Sequence, residues 1–142
     1  MDKNNCKTTN SNKMLTLLAV IATFILVMVT AAGCSSNGPT YKQISQDEAM
    51  QMMQDETDYL IVDVRRPDEF AEAHIAGAIN VPNEGITDEM PEELPDTDQI
   101  LLIYCRTGNR SKEASRKLAD IGYSNVYEFG GIETWKGEIV TE

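Results

Sequence analysis

The sequence predicts an α/β domain, a mainly parallel central sheet with helices on both faces. Three observations predict it. Residues 59–64 and 100–104 are short, almost wholly apolar runs, as expected of strands buried on both faces. Stretches with helical spacing alternate with the strands, the order that parallel βαβ units require. Glycine, proline and polar clusters separate the two kinds of segment.

The elements follow in order. Residues 41–44 form a short strand. Ser45-Gln46-Asp47-Glu48 has the pattern of a capping box, and Ala49, Met50, Met52 and Met53 supply the apolar positions of the helix it opens. The methionines are core packing and not metal ligands. Residues 59–64 are the next strand, and Pro67 suits the first turn of a short helix running through Phe70 and Ala71. Residues 75–82 turn through Gly77 into a brief strand, 78–81. Residues 84–98 hold seven acidic side chains, no basic ones, and Pro91 and Pro95. They read as a solvated loop with one short helical turn, or as a docking face for a basic partner. Strand 100–104 leads to Cys105. Ser111 caps the helix that follows, which ends near Gly122. Strand 126–129 comes last, and Gly130-Gly131 turns into a short helix carrying Trp135.

The first third of the chain is of another kind. Lys3, Lys7 and Lys13 precede an apolar run, residues 15–32, broken only by Thr16, Thr23 and Thr30 and ending Ala31-Ala32-Gly33-Cys34. Charge, apolar core and small-residue site in that order make a signal peptide. An uncleaved anchor is the other reading of the same run, which is barely long enough to span a bilayer. The segment resembles a bacterial lipoprotein signal, in which the cysteine, here Cys34, takes lipid and becomes the new N-terminus. The expected organisation is a signal over 1–33, a lipidated N-terminus and linker over 34–40, and the folded domain over 41–142. Either reading puts that domain on the extracytoplasmic side of the cell membrane.

The formal charge is −11. The first 33 residues carry three lysines and one aspartate, so the remainder carries −13. Such a domain does not seek nucleic acid and is repelled by anionic lipid, so attachment falls to the anchor. With Cys6 removed and Cys34 lipidated, Cys105 is the only thiol left, and no internal disulfide forms. An inert core thiol is the bland account of Cys105. Its neighbours argue for chemistry. Cys105 ends a strand and faces a helix N-terminus, among backbone N–H donors and beside Arg106 and Arg110, all of which favour thiolate. In a parallel sheet ligands bind beyond the carboxyl ends of the strands, where both Cys105 and Arg65 lie.

Three motifs, over residues 41–135, together resemble a single rhodanese domain. The first is Asp63-Val64-Arg65-Arg66-Pro67-Asp68-Glu69-Phe70, continued by His74-Ile75-Ala76-Gly77-Ala78-Ile79-Asn80-Val81-Pro82. The second is Cys105-Arg106-Thr107-Gly108-Asn109-Arg110-Ser111. The third is Gly130-Gly131-Ile132-Glu133-Thr134-Trp135. Ala73 departs from the glycine usual before the histidine. The resemblance implies sulfurtransfer through a persulfide on Cys105, from a small anionic donor such as thiosulfate to cyanide or a thiol. It implies a substrate cradle made by Arg106, Thr107, Gly108, Asn109, Arg110 and Ser111, with Arg65 nearby. It also makes Asp63, His74 and Trp135 structural residues near the site. No metal and no cofactor are implied: one histidine and one mature thiol do not make a zinc site, and no dinucleotide fingerprint follows a strand. Monomer is the default.

Two other functions stay open at this point. Phosphatases and arsenate reductases on the same scaffold place five residues between cysteine and arginine, whereas four separate Cys105 from Arg110. A membrane-tethered binding module or sulfur carrier, handing sulfur to a protein acceptor, needs no turnover with small thiols.

Overall fold

The computed structural model describes residues 40–141. The apolar N-terminal run, Cys34 and most of the expected linker lie outside the described residues. The elements are β1 (Lys42–Gln43), α1 (Gln46–Asp55), β2 (Tyr59–Asp63), α2 (Pro67–Glu72), β3 (His74–Ile75), β4 (Ala78–Asn80), β5 (Ile100–Cys105), α3 (Asn109–Ile121), β6 (Val126–Gly131) and β7 (Ile139–Val140). Short 3-10 turns stand at Asn83–Gly85 and Ile132–Thr134.

Five strands form one sheet in the order β1-β6-β5-β2-β4, every neighbouring pair parallel. The two most apolar strands, β5 and β2, lie inside it, paired Tyr59 to Ile100 through Asp63 to Tyr104. Alternation along β5 divides the core in two. Leu101, Ile103 and Cys105 pack with Val62, Val64 and the α3 residues Ala114 and Leu118. Leu102 and Tyr104 pack on the other face with Ile61, Phe129 and Ala49 of α1. Helices therefore cover both faces. Each fully buried Leu or Ile of β5 contributes about 1.5–3 kcal/mol of burial free energy.

The helix ends explain their own positions. The Ser45 hydroxyl accepts from the Glu48 amide at 3.2 Å, and the Glu48 carboxylate accepts from the Ser45 amide at 2.7 Å, which completes the capping box of α1. Pro67 is the first residue of α2. At α3 the cap differs from the expected one. Gly108, at φ +102°, occupies it, and Ser111 lies inside the first turn. A left-handed cap requires glycine, so the hydroxyl of Ser111, the third residue of the helix, is released for another task.

Two further features were not expected. β3 and β7 pair antiparallel, His74 with Val140 and Ile75 with Ile139, as a small second sheet. The acidic segment is not simply a solvated loop. Its helical turn comes at its start, and Ile86 and Leu94 are buried in the core beside α3. The Tyr123 hydroxyl donates to the Leu94 carbonyl, which fixes the segment from beneath.

Candidate active site

Cys105 is the last residue of β5, and its thiol is buried. The chain then curls through Arg106, Thr107 and Gly108 into α3. Sγ accepts from the Gly108 amide at 3.1 Å. Gly131, on neighbouring β6, makes the curl fit: a Cβ there would overlap the Arg106 carbonyl and Thr107 Cα. Burial pushes the Cys105 thiol up, but the Ser111 hydroxyl and the amides of Ser111, Gly108 and Thr107 outweigh it. The thiol titrates below its ordinary value as a result. Donors converging on a sulfur at a helix N-terminus are equally suited to a thiolate, a persulfide anion or an anionic donor molecule.

The other cradle residues take different positions. Thr107 and Asn109 are exposed, and Gly108 and Ser111 are buried. Arg106 reaches out to Glu133, Nε to Oε1 at 2.8 Å, both side chains largely exposed. Arg110 forms a bidentate pair with Glu69 of α2, at 2.6 and 2.9 Å, largely shielded from water. Glu69 is held down to about 2, first by the Arg110 guanidinium and further by the Arg66 amide and charge. Both loop arginines thus meet carboxylates in this structure. Arg106, Glu133, Glu69, Arg65 and Glu72 line a cleft of about 320 Å³ beside the loop.

Arg65 and Asp63 form a buried pair at the end of β2, with Nη2 2.6 Å from Oδ2. The same guanidinium donates to the Ala73 carbonyl at 2.6 Å, which ties α2 to the sheet end. His74 is buried, its Nδ1 2.9 Å from the Phe70 carbonyl and its ring stacked on Phe70 at 3.8 Å. Trp135 packs against Phe129, centroids 5.4 Å apart, in the core on the α1 side. No cluster of three or more metal-ligating side chains occurs among the described residues.

Sequence reasoning missed two residues of this site. Glu69 lies 41 positions from Arg110, and only the fold joins them. Glu128, on β6, is 3% exposed. Its Oε1 accepts from the Ser111 hydroxyl at 2.6 Å and from the Gly130 amide at 2.8 Å. A lone acid in a strand reads as a solvent-facing position, so only the conflict between its charge and the apolar face of Val126 could have flagged it.

Residues 45–138 match the family model of the Rhodanese-like domain. The thiosulfate sulfurtransferase GlpE of Coxiella burnetii is 36% identical over 97 residues, 68% of this chain and 88% of that protein. The thiosulfate sulfurtransferase PspE of Escherichia coli is 32% identical over 72 residues, 51% of this chain and 69% of that protein. Among solved structures, a rhodanese-related protein from Thermoplasma volcanium superposes with a TM-score of 0.61 at 28% identity, covering 72% of this chain and all of that one. With a sulfur held by loop amides at the end of a central parallel strand, and with these relatives, the chain belongs to the rhodanese-like family of sulfurtransferases.

Proposed function

We propose that the protein moves sulfane sulfur from a small anionic donor such as thiosulfate to cyanide or a thiol, through a persulfide on Cys105. The Cys105 thiolate attacks the outer sulfur of the donor. The new S–S bond forms as the donor's own S–S bond breaks, and sulfite leaves with the electron pair. Cyanide or a thiolate then attacks the outer sulfur of the persulfide, and the Cys105 thiolate is the leaving group. The loop amides face negative charge on sulfur in both halves of the cycle. The cleft beside the loop is where a donor and an acceptor would approach. Arg106, which lines that cleft, binds the anion only by exchanging Glu133 for it, and Arg110, at the start of α3, only by giving up Glu69.

One observation carries this reading: the buried Sγ, 3.1 Å from the Gly108 amide, at the mouth of a helix. Intact mass of the chain after thiosulfate treatment tests it, with Cys105→Ser alongside. The expected result is a gain of one sulfur atom, reversed by cyanide and absent from the variant. No gain with thiosulfate, polysulfide or glutathione persulfide would leave a tethered binding module as the better account.

We also infer that the domain works on the outer face of the cell membrane, held by lipid on Cys34. The support is the order of basic residues, apolar run and Gly33-Cys34 in the sequence. Metabolic labelling with a fatty-acid analogue should mark the wild type and not Cys34→Ala. Equal labelling of both would remove the proposal.

A further inference from the structure

Gln46 opens α1 and has no part in the reaction sequence above, yet its half-buried side chain is turned to the end of β6. Its Nε2 donates to the Gly131 carbonyl at 2.9 Å and to the Thr134 hydroxyl at 3.0 Å, across 85 and 88 positions of sequence. Those two acceptors stand on either end of the 3-10 turn Ile132–Thr134. The Thr134 hydroxyl donates in turn to the same Gly131 carbonyl, at 3.3 Å. One side-chain amide of α1 therefore grips both ends of that turn.

The sulfur loop rests on the residues so gripped. Gly131 lies against the Arg106 carbonyl and Thr107 Cα, and the place of a Cβ on Gly108 is 3.5 Å from Gly130 Cα. The Glu133 amide donates to the Arg106 carbonyl at 3.3 Å, and the Glu133 carboxylate accepts from Arg106 Nε at 2.8 Å. A trans peptide is planar, so a carbonyl of Arg106 held toward the turn points the Thr107 amide away from it. The next amide, that of Gly108, donates to Sγ at 3.1 Å. The main-chain bond at 3.3 Å is long, so the aim of the loop depends on where the turn stands. We propose that Gln46 is a positioning residue for Cys105, which fixes the Gly131–Thr134 turn, thereby sets the loop from Arg106 to Gly108, and so keeps the Gly108 amide on the sulfur. The proposal rests on Cys105 as the nucleophile of sulfurtransfer. It gives α1, which touches no reacting atom, a share in the geometry of the cradle.

The charged groups around the loop stay constant in the test. They are Arg106 with Glu133, Arg110 of α3 with Glu69 of α2 behind it, the Asp63–Arg65 pair at the end of β2, Glu128 of β6, and Asp47 and Glu48 beside Gln46. The measurement is the pH dependence of iodoacetamide alkylation at Cys105 in the full chain, followed by peptide mass. It needs no sulfur donor, so it can fail independently of the persulfide experiment. Gln46→Met keeps the length of the side chain and removes both donated bonds without adding charge. Gln46→Glu removes them too, and an acid in the first turn suits the helix, so α1 stays intact.

Both variants should raise the alkylation midpoint, by about half a unit to one unit, as the amide drifts from the thiolate. A bond that served stability alone would shift the unfolding transition and leave the titration of the native thiol where it is. An unmoved or lowered midpoint in Gln46→Met would therefore overturn the proposal. So would a rise confined to Gln46→Glu, because the added charge would then explain it. If Gln46→Met does not fold, Gln46→Ala, equally neutral and without a donor, decides between the same outcomes.

Discussion

At the scale of single residues, the site is organised by pairing. Three arginines surround the sulfur loop, and each meets a carboxylate: Arg65 with Asp63, Arg106 with Glu133, Arg110 with Glu69. The exposed Arg106 pair is worth little, whereas the bidentate and shielded Arg110 pair holds α2 against the loop. Glu69→Gln should destabilise the domain by about 1 kcal/mol near neutral pH, measured by denaturant unfolding. The sign with pH follows from the depressed titration of Glu69, held down to about 2 from an ordinary 4.5. Its contribution is fully present above pH 4.5 and is lost as pH falls through about 2. The gap between wild type and variant should therefore close over that window. A constant gap down to pH 2 would show that the variant disturbs packing and not the charge. The candidate nucleophile, Cys105, was legible in the sequence as a candidate, because cysteine, glycine and arginines stand together there between a strand and a helix. Glu69 and Glu128 were not legible, because their partners stand far away in the chain.

At the scale of elements, the loop between β5 and α3 has its shape because β6 lets it lie flat. Gly131 is the contact, and any side chain there meets the loop backbone, which cannot turn aside as a flexible side chain could. Gly131→Ala should lower sulfurtransfer by at least about tenfold, since displacement of catalytic groups by an ångström costs that much or more. Rates and far-UV circular dichroism together check it. Lost activity with retained secondary structure is the expected outcome, and full activity would mean that the loop geometry is not critical. The longer elements were readable from pattern: β2 and β5 from apolar runs, α1 from its capping box. β3 and β7 were not, because a pair of two-residue strands has too few positions to show alternation. The cap of α3 was misread for a related reason. Serine is a frequent cap, but the left-handed turn that wraps the sulfur admits only Gly108 at that place.

At the scale of the whole molecule, a strongly acidic chain carries a loop whose amides converge on one buried sulfur. The local donors at the helix mouth have to outweigh that field, and the cluster of amides around Sγ is what does so. Composition alone made residues 84–98 a loop, because acids and prolines dominate there. What composition could not reveal was Leu94, one large apolar side chain with no exposure at all, seated in the core beside α3. Its anchor carries a consequence for how the chain meets proteases. A protease needs several residues in extended form, and a segment pinned from within offers them only when it opens locally. An endopeptidase specific for acidic residues, which finds seven target side chains here, should therefore leave the native segment largely uncut. Leu94→Ala should let it nick between residues 84 and 98 at least about tenfold faster, while the sheet stays folded, as the open state becomes more populated. Equal cutting of the two proteins would mean that the anchor does not restrain the segment. The acidic stretch, for all its resemblance to a degradable tether, is a closed cover latched by two apolar side chains, Ile86 near its start and Leu94 further on.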